Sequence, residues 1–377
     1  MESVIYDPEF QEVVRLVLVG GLSFVLSYVS IPVILKVSEM KSLHAQPNDR
    51  SAHSTAVPNL GGVAIFIAVT LSMLLFGTDA KVNNYVMASL VILFFIGIKD
   101  DILVIDPLKK LIAQILATFI LVYFTDIRIT SFFGLFGLYA VPEPVSYLVT
   151  TLTVVVIVNA YNLIDGVDGL AATLAIVMSL FCGVWFYVVG DSNSALLSIS
   201  VSFALVSFLR FNFSDKNKIF MGDTGSLITG FLLAFQLTRF IQLNDMVTDY
   251  RFHNAPIIGF VLFMIPLFDL LRVFIYRLSK RMSPFSADKN HVHHFLLQLG
   301  LLHRQITITL AIFQLVTIVI LSMIIETVSI NASLVFIVTL FVLYYAIVNT
   351  NSMNTKGSRT RRWVWRGRKV LRTFQKP

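Results

Sequence analysis

Eleven apolar stretches divide the chain, at about residues 12–37, 59–77, 83–99, 108–125, 145–161, 169–190, 194–211, 226–243, 256–278, 305–325 and 330–349. About 20 apolar residues carry an α-helix across a hydrocarbon core of roughly 30 Å, and there the backbone must satisfy its own polar groups. The expected fold class is therefore all-α: a polytopic integral membrane protein of about eleven transmembrane helices. Composition agrees, because 56% hydrophobic and 14% charged residues leave too little polar surface for a water-soluble domain. Residues 1–349 read as one transmembrane domain and residues 350–377 as a basic tail. The start, MESVIYDPEFQEVV, is acidic where a secretory signal is basic, so the first apolar run is expected to remain as a helix. The single cysteine, Cys182, lies inside an apolar run, which excludes a disulfide framework and a thiolate metal site.

Basic residues set the expected orientation. The loops holding 38–58, 99–110, 159–168, 210–225, 279–304 and the tail, with the adjoining helix ends, carry 24 Lys and Arg; the alternate loops carry five. Lys and Arg accumulate on the cytoplasmic side, so the first set is assigned there and the N-terminus outside. Nine basic residues interleave with Trp363, Trp365 and Phe374 in the tail. That pattern suits an anionic membrane surface beside a cytoplasmic helix end, with no nucleic acid required. On the other side, DIRITSFFGLFGLYAVPEP alternates briefly and carries Gly and Pro, a pattern suited to a small outer-face β-hairpin.

Five polar clusters fall in loops assigned to the cytoplasmic side. They are His44, Asn48, Asp49, Arg50 and His53; Asp100, Asp101, Lys109 and Lys110; Asn159, Asn162, Asp165 and Asp168; Asp223 between Gly222 and Gly225; and Asp288, Lys289, His291, His293 and His294. Ionisable groups at membrane depth are costly, and their presence points to function. Carboxylate and amide oxygens are ligands that Mg²⁺ prefers, usually with waters and substrate phosphate completing its shell. Gly-Asp-Thr-Gly-Ser at the head of a span offers backbone N–H groups to an anion, and Lys109 and Lys110 can hold phosphate as point charges. If the segment is helical, Asn162, Asp165 and Asp168 share one face. The three histidines suggest zinc, but no cysteine accompanies them and their loop is basic, so donors to phosphate or sugar are the simpler reading. Asp269 and Arg272, three apart in one span, serve equally as a self-neutralising pair or as part of a site.

NAYNLIDGVDGL, FMGDTGSL, the KDD stretch and ADKNHVHH, in that combination, resemble the polyprenyl-phosphate N-acetylhexosamine-1-phosphate transferases, on the bacterial branch that initiates O-antigen, enterobacterial common antigen and teichoic-acid linkage units. The resemblance runs from about residue 15 to 345 and excludes the tail. It implies transfer of GlcNAc-1-phosphate from UDP-GlcNAc to undecaprenyl phosphate at the cytoplasmic mouth of a bacterial inner-membrane enzyme, with release of UMP. Matched motif by motif, it implies catalytic roles for Asp100, Asp101 and Lys110. Asp223 and Asn162 would hold Mg²⁺ (or Mn²⁺), and Lys109, Asn159, Asp165, Asp168, His291, His293 and His294 would contact substrate. The implied partners are a UDP-N-acetylhexosamine and the polyprenyl phosphate, with anionic lipids at the tail; a second copy of the chain stays open as a partner.

The chemistry supports this division of roles. A phosphate monoester has a second pKa near 6 and is largely dianionic at neutral pH, so a base at Asp100 contributes modestly. Offsetting repulsion between that dianion and a pyrophosphate is the harder task, and it falls to the metal and lysine. Two other classes remain open from the sequence. A secondary transporter also buries carboxylates between broken helices, but near the midplane. An intramembrane aspartyl protease is suggested by MGDTG, although Phe220 stands where a G-x-G-D motif has its first glycine.

Overall fold

The computed structural model describes residues 7–41, 57–282, 291–298, 300–346 and 348. The cluster from His44 to His53, Asp288, Lys289 and the tail lie outside the described residues, as do the side chains of His293 and His294. The helices are α1 Pro8–Met40, α2 Gly61–Phe76, α3 Ala80–Ile102, α4 Pro107–Thr125, α5 Glu143–Ile164, α6 Leu170–Val188 and α7 Ser192–Asn212, followed by α8 Gly222–Met246, α9 Ala255–Leu262, α10 Met264–Ser279, α11 Val292–Gln298, α12 His303–Ile325 and α13 Ile330–Ala346. Among the described residues seven are long and apolar enough to cross a membrane, or eight if the bent pair α9–α10 is one span. The protein is a predominantly helical membrane bundle. Its one described sheet is a hairpin of β1 Ser131–Leu135 and β2 Leu138–Ala140, antiparallel, with Ser131 opposite Ala140.

Local chemistry sets the helix ends. Asp7, Asp79 and Asp106 accept from the first-turn amides of α1, α3 and α4 at 3.1, 3.0 and 2.7 Å, and Pro8 and Pro107 pre-set the backbone at two of these starts. Such caps contribute about 0.5–2 kcal/mol each. α8 forms the axis of the bundle: from Thr224 to Asn244 almost every side chain is buried, against α2, α3, α5 and α6 among others. Outward faces of α1, α4 and α12 remain apolar and exposed, as lipid-facing surfaces are.

Two elements depart from the expected spans. The stretch 256–278, expected as one helix, breaks at Phe263 and bends by 78°. Pro266 is the physical reason, since its ring lacks an N–H and collides with the carbonyl four residues earlier. The carbonyls of Val261 and Leu262 accept instead from the Gln314 amide of α12, both at 2.9 Å, which keeps freed backbone groups satisfied inside the bundle. At the second departure, α3 runs on to Ile102, so Asp100 and Asp101 stand in its last turn rather than in a loop.

Candidate active site

The ends of α3 and α5, the starts of α4 and α8 and the strand-like segment before α2 meet at one end of the bundle. Residues 58–62 pair with 220–221: Phe220 N–H donates to Pro58 O at 2.8 Å, and the Gly61 and Gly62 amides donate to Phe220 O and Met221 O at 2.9 Å. The backbones touch there. A Cβ on Gly62 would lie 2.1 Å from Gly225 N, and one on Gly97 would lie 2.5 Å from Thr224 Cα. At Gly222, φ is +71°, a left-handed turn that glycine takes without steric cost.

This close approach delivers α8 head-first to the aspartate pair. Asp101 Oδ1 accepts from the Asp223 amide at 2.8 Å; Oδ2 accepts from the Thr224 amide at 3.0 Å and its hydroxyl at 2.6 Å. Asn59 Nδ2 adds a further donor to Oδ1 at 3.1 Å. An ionised carboxylate has about four acceptor sites, and Asp101 fills that number on the protein itself. It is a helix cap supplied from another helix. Asp100 faces the other way, with Oδ1 accepting from Ile105 N–H at 2.8 Å and Oδ2 paired with Lys110.

Lys110 bridges two carboxylates, since its Nζ also donates to Asp223 Oδ1 at 2.8 Å. Asn162 Nδ2 donates to the same oxygen at 2.8 Å and to Ser226 Oγ at 2.7 Å. The Asp100 side chain is 6% exposed, while that of Asp223 is 33% exposed, so the cluster opens toward solvent through Asp223. Asp165 lies nearby, half-buried and without a hydrogen-bond partner among the described residues. Burial, then the charges of Asp223, Asp101 and Asp168, push its carboxyl up to about 7.

The other expected site residues separate. α5 stops at Ile164, so Asn162, Asp165 and Asp168 do not share a helical face; Gly169, at φ +73°, completes the turn. Asp168 Oδ2 accepts from Lys218 Nζ at 2.6 Å, its carbonyl accepts from Thr307 Oγ1 at 2.7 Å, and its amide donates to His303 Nδ1 at 3.3 Å. Asp168 thus ties the turn to α12. Asn159 Nδ2 donates to Gln114 Oε1 at 2.7 Å and joins α4 to α5, whereas Lys109 is exposed. His291 is buried against Asp269, its Nδ1 2.9 Å from Oδ2.

Sequence reasoning passed over Asn59, Lys218, Ser226 and His303. Only Asn59 had a visible signal, an amide just ahead of Gly61-Gly62 at the mouth of a span. Lys218, in a loop, and His303, at the start of α12, carry no signal until the fold brings them to Asp168.

The donor set fits a hard divalent cation. Asp100, Asp223 and the Asn162 amide supply oxygen, and Lys110 already seats a cationic group between the two carboxylates. Among the described residues no three His, Cys, Asp or Glu side chains gather to hold a metal by themselves. A cation here would thus draw part of its shell from water and substrate, as Mg²⁺ commonly does.

Comparison with known proteins gives the same direction. The model of glycosyl transferase family 4 matches residues 83–241, the stretch that carries Asp100, Lys110, Asn162 and Asp223. Undecaprenyl-phosphate alpha-N-acetylglucosaminyl 1-phosphate transferase of Yersinia pestis is 29% identical over 294 residues, covering 76% of this chain and 79% of its own. The protein of that name in Escherichia coli K12 is 28% identical over 73% of this chain and 75% of its own. Probable undecaprenyl-phosphate N-acetylglucosaminyl 1-phosphate transferase of Bacillus subtilis 168 is 29% identical over 354 residues, 92% of this chain and 95% of its own. The polar cluster lies within the matched stretch, and the relatives align over most of their length; over residues 83–241 the chain is similar to glycosyl transferase family 4.

Proposed function

We propose that the chain transfers GlcNAc-1-phosphate from UDP-GlcNAc to undecaprenyl phosphate. A phosphate oxygen of the lipid attacks the sugar-bearing phosphorus, the bond to the bridging oxygen breaks, and UMP leaves with that oxygen. The products are undecaprenyl-pyrophosphoryl-GlcNAc and UMP. The observation that carries this reading is the Asp100–Lys110–Asp223–Asn162 cluster at a helix mouth, in a chain aligned along most of its length with transferases so named.

Mg²⁺ on Asp223, with Asn162 and Asp100 beside it, would supply charge to offset the repulsion between two phosphates. Lys110, already between the carboxylates, would move onto substrate phosphate as they turn to the cation. Asp101 would act by holding α8 and Asp223 in register rather than by touching substrate. Asp165, His293 and His294 would face the sugar nucleotide. The aspartyl-protease reading loses support here, because such a dyad shares a proton between two carboxylates, whereas a lysine stands between Asp100 and Asp223.

The membrane arrangement belongs to the same proposal: eleven passes in a bacterial inner membrane, N-terminus outside, site and tail cytoplasmic. The basic residues of the tail would then lie beside an anionic leaflet.

The test is direct. Membranes carrying the protein, given labelled UDP-GlcNAc and undecaprenyl phosphate, should move label into organic-extractable lipid, and a chelator should stop this until Mg²⁺ is restored. Asp223→Asn should lower turnover at least about a hundredfold, the scale for losing one electrostatic stabiliser. Transfer that persists in excess chelator would remove the metal from the scheme, and no labelled lipid from active membranes would remove the scheme itself.

A further inference from the structure

Asp269 is 0% exposed and Arg272, one turn further along α10, is 3% exposed. Arg272 Nη2 donates to Asp269 Oδ1 at 3.1 Å, so the pair neutralises itself. A buried ion pair by itself adds little stability, because desolvation offsets the attraction. Asp269 does more than pair. Its Oδ1 also accepts from the Val292 amide at 2.9 Å, Tyr344 OH of α13 stands 3.4 Å away, and Oδ2 meets His291 Nδ1 at 2.9 Å. One carboxylate gathers the start of α11, α13 and its own helix.

His291 is itself only 6% exposed. With Arg272 balancing the carboxylate, the His291 ring donates through Nδ1 to Asp269 Oδ2, and a carboxylate partner fixes the orientation of the ring. An enclosed ring bonded through Nδ1, with the next backbone amide bound to the same carboxylate, has the character of an anchor. We propose that His291 is the anchor of the histidine loop and Asp269 its socket. His293 and His294 then remain as the loop's candidates for the sugar nucleotide. His291 and Asp269 act as positioning residues, and the proposal rests on the transferase reading above.

The two ring nitrogens give a test that separates anchor from ligand. An asparagine amide falls near the position of Nδ1 and a glutamine amide near that of Nε2, so His291→Asn preserves the bond to Asp269 and His291→Gln does not. In the full-length enzyme in undecaprenyl-phosphate vesicles, His291→Asn should keep the KM for UDP-GlcNAc within about threefold, while His291→Gln and Asp269→Asn raise it about tenfold or more with kcat little changed, the pattern of lost ground-state binding. An active His291→Gln beside an impaired His291→Asn would overturn the proposal, since substrate would then be read through Nε2. So would a fall in kcat at constant KM in all the variants, the mark of less folded enzyme. Should Asp269→Asn not fold, the two His291 variants decide alone. Trypsin cleavage after Lys289 reads anchorage without turnover: faster cutting in His291→Gln than in wild type and His291→Asn supports it, and equal rates overturn it. A wild type that makes no lipid-linked product would sink the transferase reading, and the cleavage rates would still judge the anchor.

Discussion

Asp101 spends its carboxylate on the amides of Asp223 and Thr224, while Asp100, its neighbour, meets Lys110. The split follows from the helix, where consecutive side chains diverge by about 100°. One aspartate therefore builds the site and the other faces it. Asp165 is a third case, a half-buried carboxyl raised to about 7 by burial and by the charges of Asp223, Asp101 and Asp168. Its ordinary value is 3.8, so between about pH 4 and 7 the folded protein holds a proton that the unfolded chain has released, and stability falls as pH rises through that window. Well below pH 3.8 both states are protonated and nothing is lost; above about 7 both are ionised and the full penalty stands. Asp165→Asn should accordingly raise the Tm of the chelator-treated protein at pH 8, leave it nearly unchanged at about pH 3, below the unfolded value, and lower transferase activity. Equal Tm shifts at the two pH values would mean that Asp165 is not held protonated. A more stable and less active variant is what strain kept for function predicts.

At the scale of elements, the start of α8 is the most constrained place in the molecule, with Gly62 and Gly97 letting α2 and α3 touch its backbone. In Gly62→Ala the new methyl would meet Gly225 backbone at 2.1 Å, where no flexible side chain can yield, so α8 must shift and Asp223 with it. Gly21→Ala, in α1 with nothing within 4 Å of the new Cβ, should instead be neutral or stabilise by up to about 1 kcal/mol. Thermal unfolding and transfer rates of the two variants check this contrast; an active Gly62→Ala would mean that the contact is not needed. The sequence made the helices legible because apolar length is a strong signal, and it made Asp100, Lys110, Asn162 and Asp223 legible because polar groups at the ends of apolar runs stand out. The bend at Phe263 left a trace in Pro266, but its remedy, Gln314, is distant in the chain. The turn at Asp165–Gly169 also broke the expected common face, since helical spacing is informative only while the helix continues. Which aspartate caps and which faces substrate depends on the packing of α3 against α8, and no local pattern carries that.

For the whole molecule, sidedness decides whether the site makes sense, since one proposed substrate stays in the membrane and the other arrives from water. Helix ends of α3, α5 and α7 and helix starts of α4, α6 and α8 alternate along the chain, so the polar cluster and the 213–218 loop fall at one end while the segments after α4 and α8 fall at the other. In the proposed topology the excess of Lys and Arg would put the cluster end in the cytoplasm. Asn217 and Thr248 are exposed on opposite ends and make suitable reporters, whereas Asn244 is buried, bonded to Phe252. Because the one native cysteine, Cys182, is buried, single substitutions can be read against a quiet background. Asn217→Cys should react with a membrane-impermeant maleimide only after the cytoplasmic face is opened, and Thr248→Cys should react in intact spheroplasts. Reaction of Asn217→Cys in intact spheroplasts would put the cluster outside, away from any cytoplasmic nucleotide sugar, and the transferase assignment would lose its substrate. Reaction of both from one face would instead break the alternation of helices on which the convergent site depends.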